Sequence, residues 1–86
     1  MKEETILKVA AILELWNPLG ERANTVEQLE GYRCEAIDII ATCGMMKAHD
    51  KVAAATKQVL EEAFNLSLSD SDVEHPAREI ATVLDI

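Results

Sequence analysis

Residues 16–20 read Trp-Asn-Pro-Leu-Gly, and this stretch decides how the chain can fold. Asn17 precedes a proline, whose ring crowds the preceding residue and biases it away from the right-handed helical region. Pro18 has no N–H and cannot extend a helix that reaches it from the N-terminal side. Gly20 can take a positive φ that other residues resist. The stretch therefore reads as a hard helix stop. Trp16, the only tryptophan, closes the preceding helix and is expected to pack between helices. The group Trp16, Asn17, Pro18, Leu19 and Gly20 is thus a structural motif, with ligand stacking on the indole as the alternative.

Upstream, Ile6, Val9, Leu13 and Trp16 recur at three- and four-residue spacing, flanked by Leu7, Ala10 and Ile12, and predict a first helix over 3–16. Glu3 and Glu4 suit its positive N-terminal end. Downstream, residues 17–24 form a connection. Asn24 with Glu27 and Thr25 with Gln28 have capping-box spacing, so a second helix is expected over about 25–43. Its stripe is Val26, Leu29, Tyr32 or Arg33, Ala36, Ile37 and Ile40, with Ile39 and Cys43 beside it. Gly31 lies inside that pattern. Either it permits a close helix crossing or the ordered helix begins after it. Gly44 suits the position after a helix end.

A third helix over about 46–66 follows from Val52, Ala55, Val59, Leu60, Ala63 and Phe64, with Met45 and Met46 filling gaps at the preceding turn. Residues 67–75 read as a polar break. Ser69 with Asp72 and Ser71 with Glu74 have cap-like spacing. His75-Pro76 is the stronger start signal, since proline is favoured at the first helical position. A last helix is therefore expected over about 76–85, with Ala77, Ile80, Ala81 and Leu84 on its apolar side. The sum is an all-α fold, a small antiparallel bundle of three to four helices in a single domain spanning 1–86.

Apolar residues make up 49% of the 86, enough for a core, so wholesale disorder is not expected. No stretch approaches the ~20 apolar residues of a membrane span. The acidic start at Glu3 and Glu4 contradicts the basic segment of a signal peptide, so a cytoplasmic location is expected. Cys34 and Cys43, nine residues apart on one helix, would be separated by ~13 Å and point to opposite sides, so both are read as free structural thiols.

The net charge is -8. Residues 61–86 carry seven acids against one base, Arg78, whereas residues 1–60 carry nine acids against seven bases. That balance argues against direct binding of nucleic acid or an anionic membrane, which needs clustered cations. It suits a basic protein partner, with Glu61, Glu62, Asp70, Asp72, Glu74 and Glu79 as candidate partner-binding residues. A solubility role for the same charges is the alternative.

Catalytic and metal constellations are not found in the pattern. Counted from Asp70, a calcium loop needs glycine at its sixth position and glutamate at its twelfth; the chain has His75 and Ala81 there. His49 and His75 lack zinc-helix spacing, and with two isolated cysteines they form no zinc cluster. His49-Asp50 falls in a charged helix start, which accounts for it without catalysis. Glu61 and Glu62 diverge by ~100° around a helix and share no site. No enzyme activity and no cofactor are expected.

Three groups of residues together resemble the YugE-like family of small bacterial proteins, a domain of unknown function. Trp16-Asn17-Pro18-Leu19-Gly20 matches its Trp-Asp/Asn-Pro-Ile/Leu-Gly motif. Tyr32, Glu35 and Ile37 match a Tyr-x-x-Glu-x-Ile-like segment, and Val52, Ala53, Val59 and Phe64 match its closing apolar spacing. Thr56, Leu60 and Gly31 depart from it, and residues 67–86 have no counterpart. The resemblance implies a small cytoplasmic helical bundle with no assigned chemistry. The function expected is a non-catalytic interaction module, concretely an inhibitor or immunity-type protein that blocks a basic partner such as a nuclease. The alternatives are a homo-oligomeric, for example dimeric, structural or regulatory protein, and a small-ligand binder with Trp16, Tyr32 and Met45 or Met46 lining its pocket.

Overall fold

The computed structural model describes residues 2–25, 30–43 and 49–84. Helix α1 spans Glu3–Trp16. Its buried face is Ile6, Val9, Ala10 and Leu13, at the expected spacing, while Ile12 and Trp16 are half-buried against the core. The helix stops where the sequence predicts. Asn17 is left-handed (φ 51°, ψ 65°), and its N–H donates to the Leu13 carbonyl at 2.7 Å. The Gly20 N–H then donates to the Asn17 carbonyl at 3.0 Å, with Gly20 at φ +57°. An αL helix cap thus runs straight into a four-residue turn whose first and last residues, Asn17 and Gly20, have positive φ.

The path into the second helix differs from the expectation. A 3-10 turn occupies Gly20–Thr25, a second covers Glu30–Tyr32, and helix α2 spans Arg33–Cys43 rather than beginning near residue 25. Gly31 (φ +65°) and Tyr32 (φ +65°) are both left-handed. Two consecutive residues of that hand cannot belong to a right-handed helix, so the helix starts after Gly31. The buried face shifts as a consequence: Ala36, Ile39 and Cys43 are fully buried, while Ile37 and Ile40 are half-buried at its edge. The expected stripe had counted Val26 and Leu29 as part of the same helix. Those two residues, the capping pairs ending at Glu27 and Gln28, and Gly44, Met45 and Met46 lie outside the described residues.

Tyr32 explains why the left-handed strain is tolerated. Its side chain is 1% exposed. The hydroxyl donates to Asn17 Oδ1 at 2.8 Å and accepts the Leu19 N–H at 3.4 Å. The ring meets Phe64 edge-on, with centroids 6.0 Å apart. Next to it, the Arg33 guanidinium makes a bidentate pair with the Glu3 carboxylate, one arm at 2.7 Å. Adjacent side chains thus tie both ends of α1 to the start of α2. The guanidinium holds the Glu3 carboxyl below its usual range.

Helix α3 spans His49–Phe64, and Val52, Ala55, Thr56 and Leu60 are buried. Thr56 satisfies its hydroxyl by donating to the Val52 carbonyl at 2.8 Å, one turn back. The helix ends at Phe64, two residues earlier than expected. Asn65 is left-handed (φ 54°) and the Leu66 N–H donates to the Glu61 carbonyl at 3.3 Å, which is a Schellman-type end.

Helix α4 spans Asp70–Leu84, six residues more at its N-terminus than expected. Ser69 and Asp72 form the reciprocal capping box. The Asp72 N–H donates to Ser69 Oγ at 3.1 Å, and the Ser69 N–H donates to Asp72 Oδ2 at 3.0 Å. Pro76, expected at the first helical position, lies inside the helix and is buried. An interior proline costs about 3 kcal/mol. Burying Val73 contributes about 1.5–3 kcal/mol and the cap about 1 kcal/mol. Both are realised only if the helix starts at Asp70. Val73, Pro76, Ala77, Ile80 and Ala81 are its buried face.

The fold is an all-α bundle. Helices α1 and α3 each pack against both α2 and α4, so α4 completes the core of its own chain. The radius of gyration is 11.7 Å, against ~12 Å for a compact chain of this length. Among the described residues there is no strand, and no helix is long and apolar enough to cross a membrane.

Candidate functional site

Five of the six acids singled out in the sequence are placed on three different surfaces, and the sixth, Glu74, lies on the exposed face of α4 away from them. Glu61 is half-buried at the end of α3, where its Oε2 accepts the Leu68 N–H at 2.9 Å. It closes the turn into α4. Asp70 is 98% exposed and meets Lys57 Nζ at 3.3 Å. Asp72 holds the helix cap, and the Ser69 N–H and hydroxyl lower its pKa from the ordinary aspartate value. Asp70 and Asp72 both sit in the first turn of α4, where the unpaired N–H groups favour negative charge. These three acids therefore have structural duties at the α3–α4 junction.

Glu62 belongs to a second surface. It is exposed, accepts from Gln58 Nε2 at 3.3 Å, and lines a groove between α2 and α3 together with Asp38, Thr42 and Val59. Glu74 and Glu79 are five residues apart on α4, which places them about 140° apart around the helix. Glu74 pairs with Arg78 at 2.6 Å. Glu79 Oε1 lies 2.9 Å from His75 Nε2 and lines the third surface, the seam between α4 and α1.

That seam carries two adjoining pockets that share Ile12 and Glu79. One, of about 430 Å³, is completed by Lys8, Ala11, Thr82 and Val83. The other, of about 210 Å³, is completed by Leu15, Trp16, His75 and Pro76. The Trp16 side chain of the helix-stop motif thus reaches this seam as well as the core. Leu15 is 87% exposed and falls outside the three- and four-residue apolar spacing of α1. A large aliphatic residue off the buried stripe was the available signal for this surface, and sequence reasoning passed over it.

The remaining motif residues act on the backbone. Leu19 is buried, and Asn17 Nδ2 donates to the Gly20 carbonyl at 3.3 Å. Tyr32 is closed into the core, and Met45 and Met46, expected to line a pocket with it, lie outside the described residues. Burial raises the Tyr32 pKa above the usual tyrosine value, and burial also raises the pKa values of Glu35 and of the Cys43 thiol. Cys34 is exposed and Cys43 buried, and both are free. Among the described residues no group of three or more His, Cys, Asp or Glu side chains could hold a metal ion. The side chains of His49 and Asp50 lie outside the description. The chain matches no protein-family model, no curated protein and no solved structure.

Proposed function

We propose that this chain is a cytoplasmic, non-catalytic interaction module. It binds a basic protein partner and blocks it sterically, in the manner of an inhibitor or immunity-type protein acting on a partner such as a nuclease. The observation that carries the reading is the charge of α4. Asp70, Asp72, Glu74 and Glu79 are all exposed on one helix whose position is fixed by a capping box. The cations that reach these acids are Lys57, Arg78 and a histidine, in a chain of net charge -8. Exposed pairs of this kind are worth little internally, so they are cheaply exchanged for a partner's Lys and Arg. Preorganised acids of one sign steer association. The YugE-like resemblance adds no chemistry to this reading and removes none.

The test is the salt dependence of binding. A partner captured at low salt is purified, and its association rate is measured between low and high ionic strength. The rate should fall steeply with salt. It should also fall for Asp70→Asn/Glu74→Gln/Glu79→Gln. A salt-insensitive rate, or full binding by the triple variant, refutes the reading. A homo-oligomer is the second reading, favoured by the exposure of Leu7 (56%) and Leu15 (87%). Light scattering at micromolar concentration separates the two.

A further inference from the structure

The groove between α2 and α3, of about 460 Å³, lies on the opposite side of the bundle from the α1–α4 seam, since α1 and α3 each pack against both α2 and α4. The contact of Tyr32 with Phe64 places the start of α2 beside the end of α3, so these two helices run antiparallel. Asp38 and Thr42 are one turn apart on α2, as are Glu62 and Gln58 on α3. The two carboxylates therefore share one end of the groove, and the hydroxyl and the amide share the other. Between them the lining is short and apolar: Ala41, Val59 and Ala63. Among the described residues no base lines this groove, and no ion pair joins Asp38 or Glu62 to a cation. The bases of the flanking helices are engaged or distant. Arg33, at the head of α2, is tied to Glu3. Lys57 pairs with Asp70 of α4 at 3.3 Å, and Lys51 precedes Glu62 by eleven residues, ~16 Å along the helix. On α4, by contrast, Asp70, Glu74 and Glu79 each have a basic side chain in contact. Glu35, three residues before Asp38, registers the uncompensated charge: burial, with the Asp38 carboxylate adding to it, raises its pKa.

We infer that this groove receives an arginine side chain of the basic partner, with its guanidinium between Asp38 and Glu62 and its aliphatic stem over Ala41, Val59 and Ala63. The inference rests on the proposed function and deepens it: the α4 acids steer the partner at long range, and the groove gives it a contact. Charge complementarity selects the occupant. Two carboxylates without a base call for a cation, and a planar guanidinium presents five donors in a fixed fork that can serve both at once. The stem of such a side chain covers short apolar groups while its head stays in water. No existing ion pair has to break; only the bond from Gln58 Nε2 to Glu62, at 3.3 Å, gives way. The same charges turn other occupants away. A second copy in a two-fold contact over the groove would oppose these acids to their equivalents, between chains that each carry -8. Nucleic acid and an anionic lipid surface meet the same repulsion.

The probes are two short blocked peptides. One is built of alanine and arginine; the other replaces each arginine by citrulline, which keeps the stem and loses the charge. Binding is followed by amide shifts in two-dimensional NMR at about 0.15 M salt, where exposed charges more than ~8 Å apart are largely screened. The arginine peptide should move the amides of residues 38–42 and 58–63 in a saturable way. Asp38→Asn and Glu62→Gln should each weaken binding about three- to fivefold, the upper range for a solvent-exposed ion pair, with helix content by circular dichroism unchanged. Glu79→Gln, the same charge change on the opposite side of the bundle, should leave the affinity within about 1.5-fold of the parent. The citrulline peptide should leave the groove amides in place.

Any of five results overturns the inference. The first is no shift at residues 38–42 and 58–63 with the arginine peptide. The second is equal weakening by Glu62→Gln and Glu79→Gln, which would make binding a matter of net charge. The third is an equal response to the citrulline peptide. The fourth is the same shifts from spermidine at equal concentration, which would give the groove to a free polyamine. The fifth is the same shifts on concentrating the parent alone, which would give it to a second copy. None of these touches the salt dependence of association with a captured partner, so failure of the groove is distinguishable from failure of the proposed function.

Discussion

Replacing Tyr32 by phenylalanine isolates the contact that joins the helix-stop motif to the rest of the fold. The ring, its edge-on contact with Phe64 and the left-handed backbone at residue 32 are common to both side chains, so their contributions cancel. What is lost is the hydroxyl. Its bond to Asn17 Oδ1 is 2.8 Å and partly buried; its bond from the Leu19 N–H is 3.4 Å and buried. A net hydrogen bond is worth about 1 kcal/mol, and a buried donor left without a partner adds about 1–3 kcal/mol. Water can reach exposed Asn17, and the Leu19 bond is long, so both contributions lie toward the low end. The expected loss is about 1–2 kcal/mol, or roughly 4–8 °C in Tm per kcal/mol for a domain of this size. Urea unfolding followed by Trp16 fluorescence and far-UV circular dichroism measures it, with an unchanged m-value as the sign that only stability moved. A double-mutant cycle with Asn17→Gly, which keeps the left-handed backbone accessible, should return a coupling of about 1 kcal/mol. There is a second signature at high pH. Burial raises the folded-state pKa of Tyr32 above its ordinary value of 10.0. The folded protein therefore holds that proton more tightly, and its contribution is complete below about pH 10 and lost as pH rises through the raised value. The parent should lose stability there relative to Tyr32→Phe. A loss under about 0.5 kcal/mol, or a stability gap that stays constant through that pH window, refutes the reasoning.

Gly31→Ala should cost about 1–2 kcal/mol in urea unfolding, because φ is +65° there and only glycine adopts it freely. The added Cβ would lie 3.1 Å from Glu14 Oε2, the far end of an exposed side chain that can swing aside, so the cost is mostly backbone. Ser69→Ala should cost about 1 kcal/mol by loss of the α4 cap, and amide exchange should rise first at residues 70–73. Because Ser69 lowers the Asp72 pKa, the parent's advantage should shrink on acidification only below the ordinary aspartate value of 3.8. Glu35→Gln should raise Tm at neutral pH. Burial, with Asp38 nearby, lifts the Glu35 pKa above 4.5, so the folded state gains stability as pH falls through the raised value. The advantage of the glutamine should therefore vanish by about pH 3.

The ends of α1, the apolar faces of α1 and α4 and the two free thiols were legible from spacing and turn chemistry, because each depends on neighbours within a few residues. The starts of α2 and α4 were not. Several local start signals compete in residues 24–28 and 69–76, His75-Pro76 being the strongest by local chemistry, and in α4 the Ser69–Asp72 pair is the one used. Tyr32 must reach Asn17 and Phe64, which requires left-handed backbone at 31 and 32. Val73 must reach the core, which draws the start of α4 back to Ser69 and leaves Pro76 inside the helix. For the surface, the acids and their exposure could be listed from the sequence. Their division among the α3–α4 junction, the α2–α3 groove and the α1–α4 seam could not, because it depends on how α4 is rotated against α1 and α3. Leu15 shows the converse: its exposure follows from the register of α1, but its place beside Pro76 and Glu79 exists only in the packed chain.

The two ends of the Tyr32 hydroxyl contact constrain one another across fifteen positions. Position 32 needs a side chain that fills the core, lets its own backbone turn left-handed and still presents an oxygen to residue 17. Glycine or asparagine would relax the backbone and hollow the interior, and leucine or methionine would fill it and leave the Leu19 N–H stranded. At position 17 either asparagine or aspartate accepts the phenolic proton. In diverged chains of this architecture, an Asn/Asp-Pro-x-Gly tetrapeptide and a tyrosine fifteen residues after its first member should therefore be kept or lost together. That pairing gives a rule for recognising distant relatives when overall identity has faded.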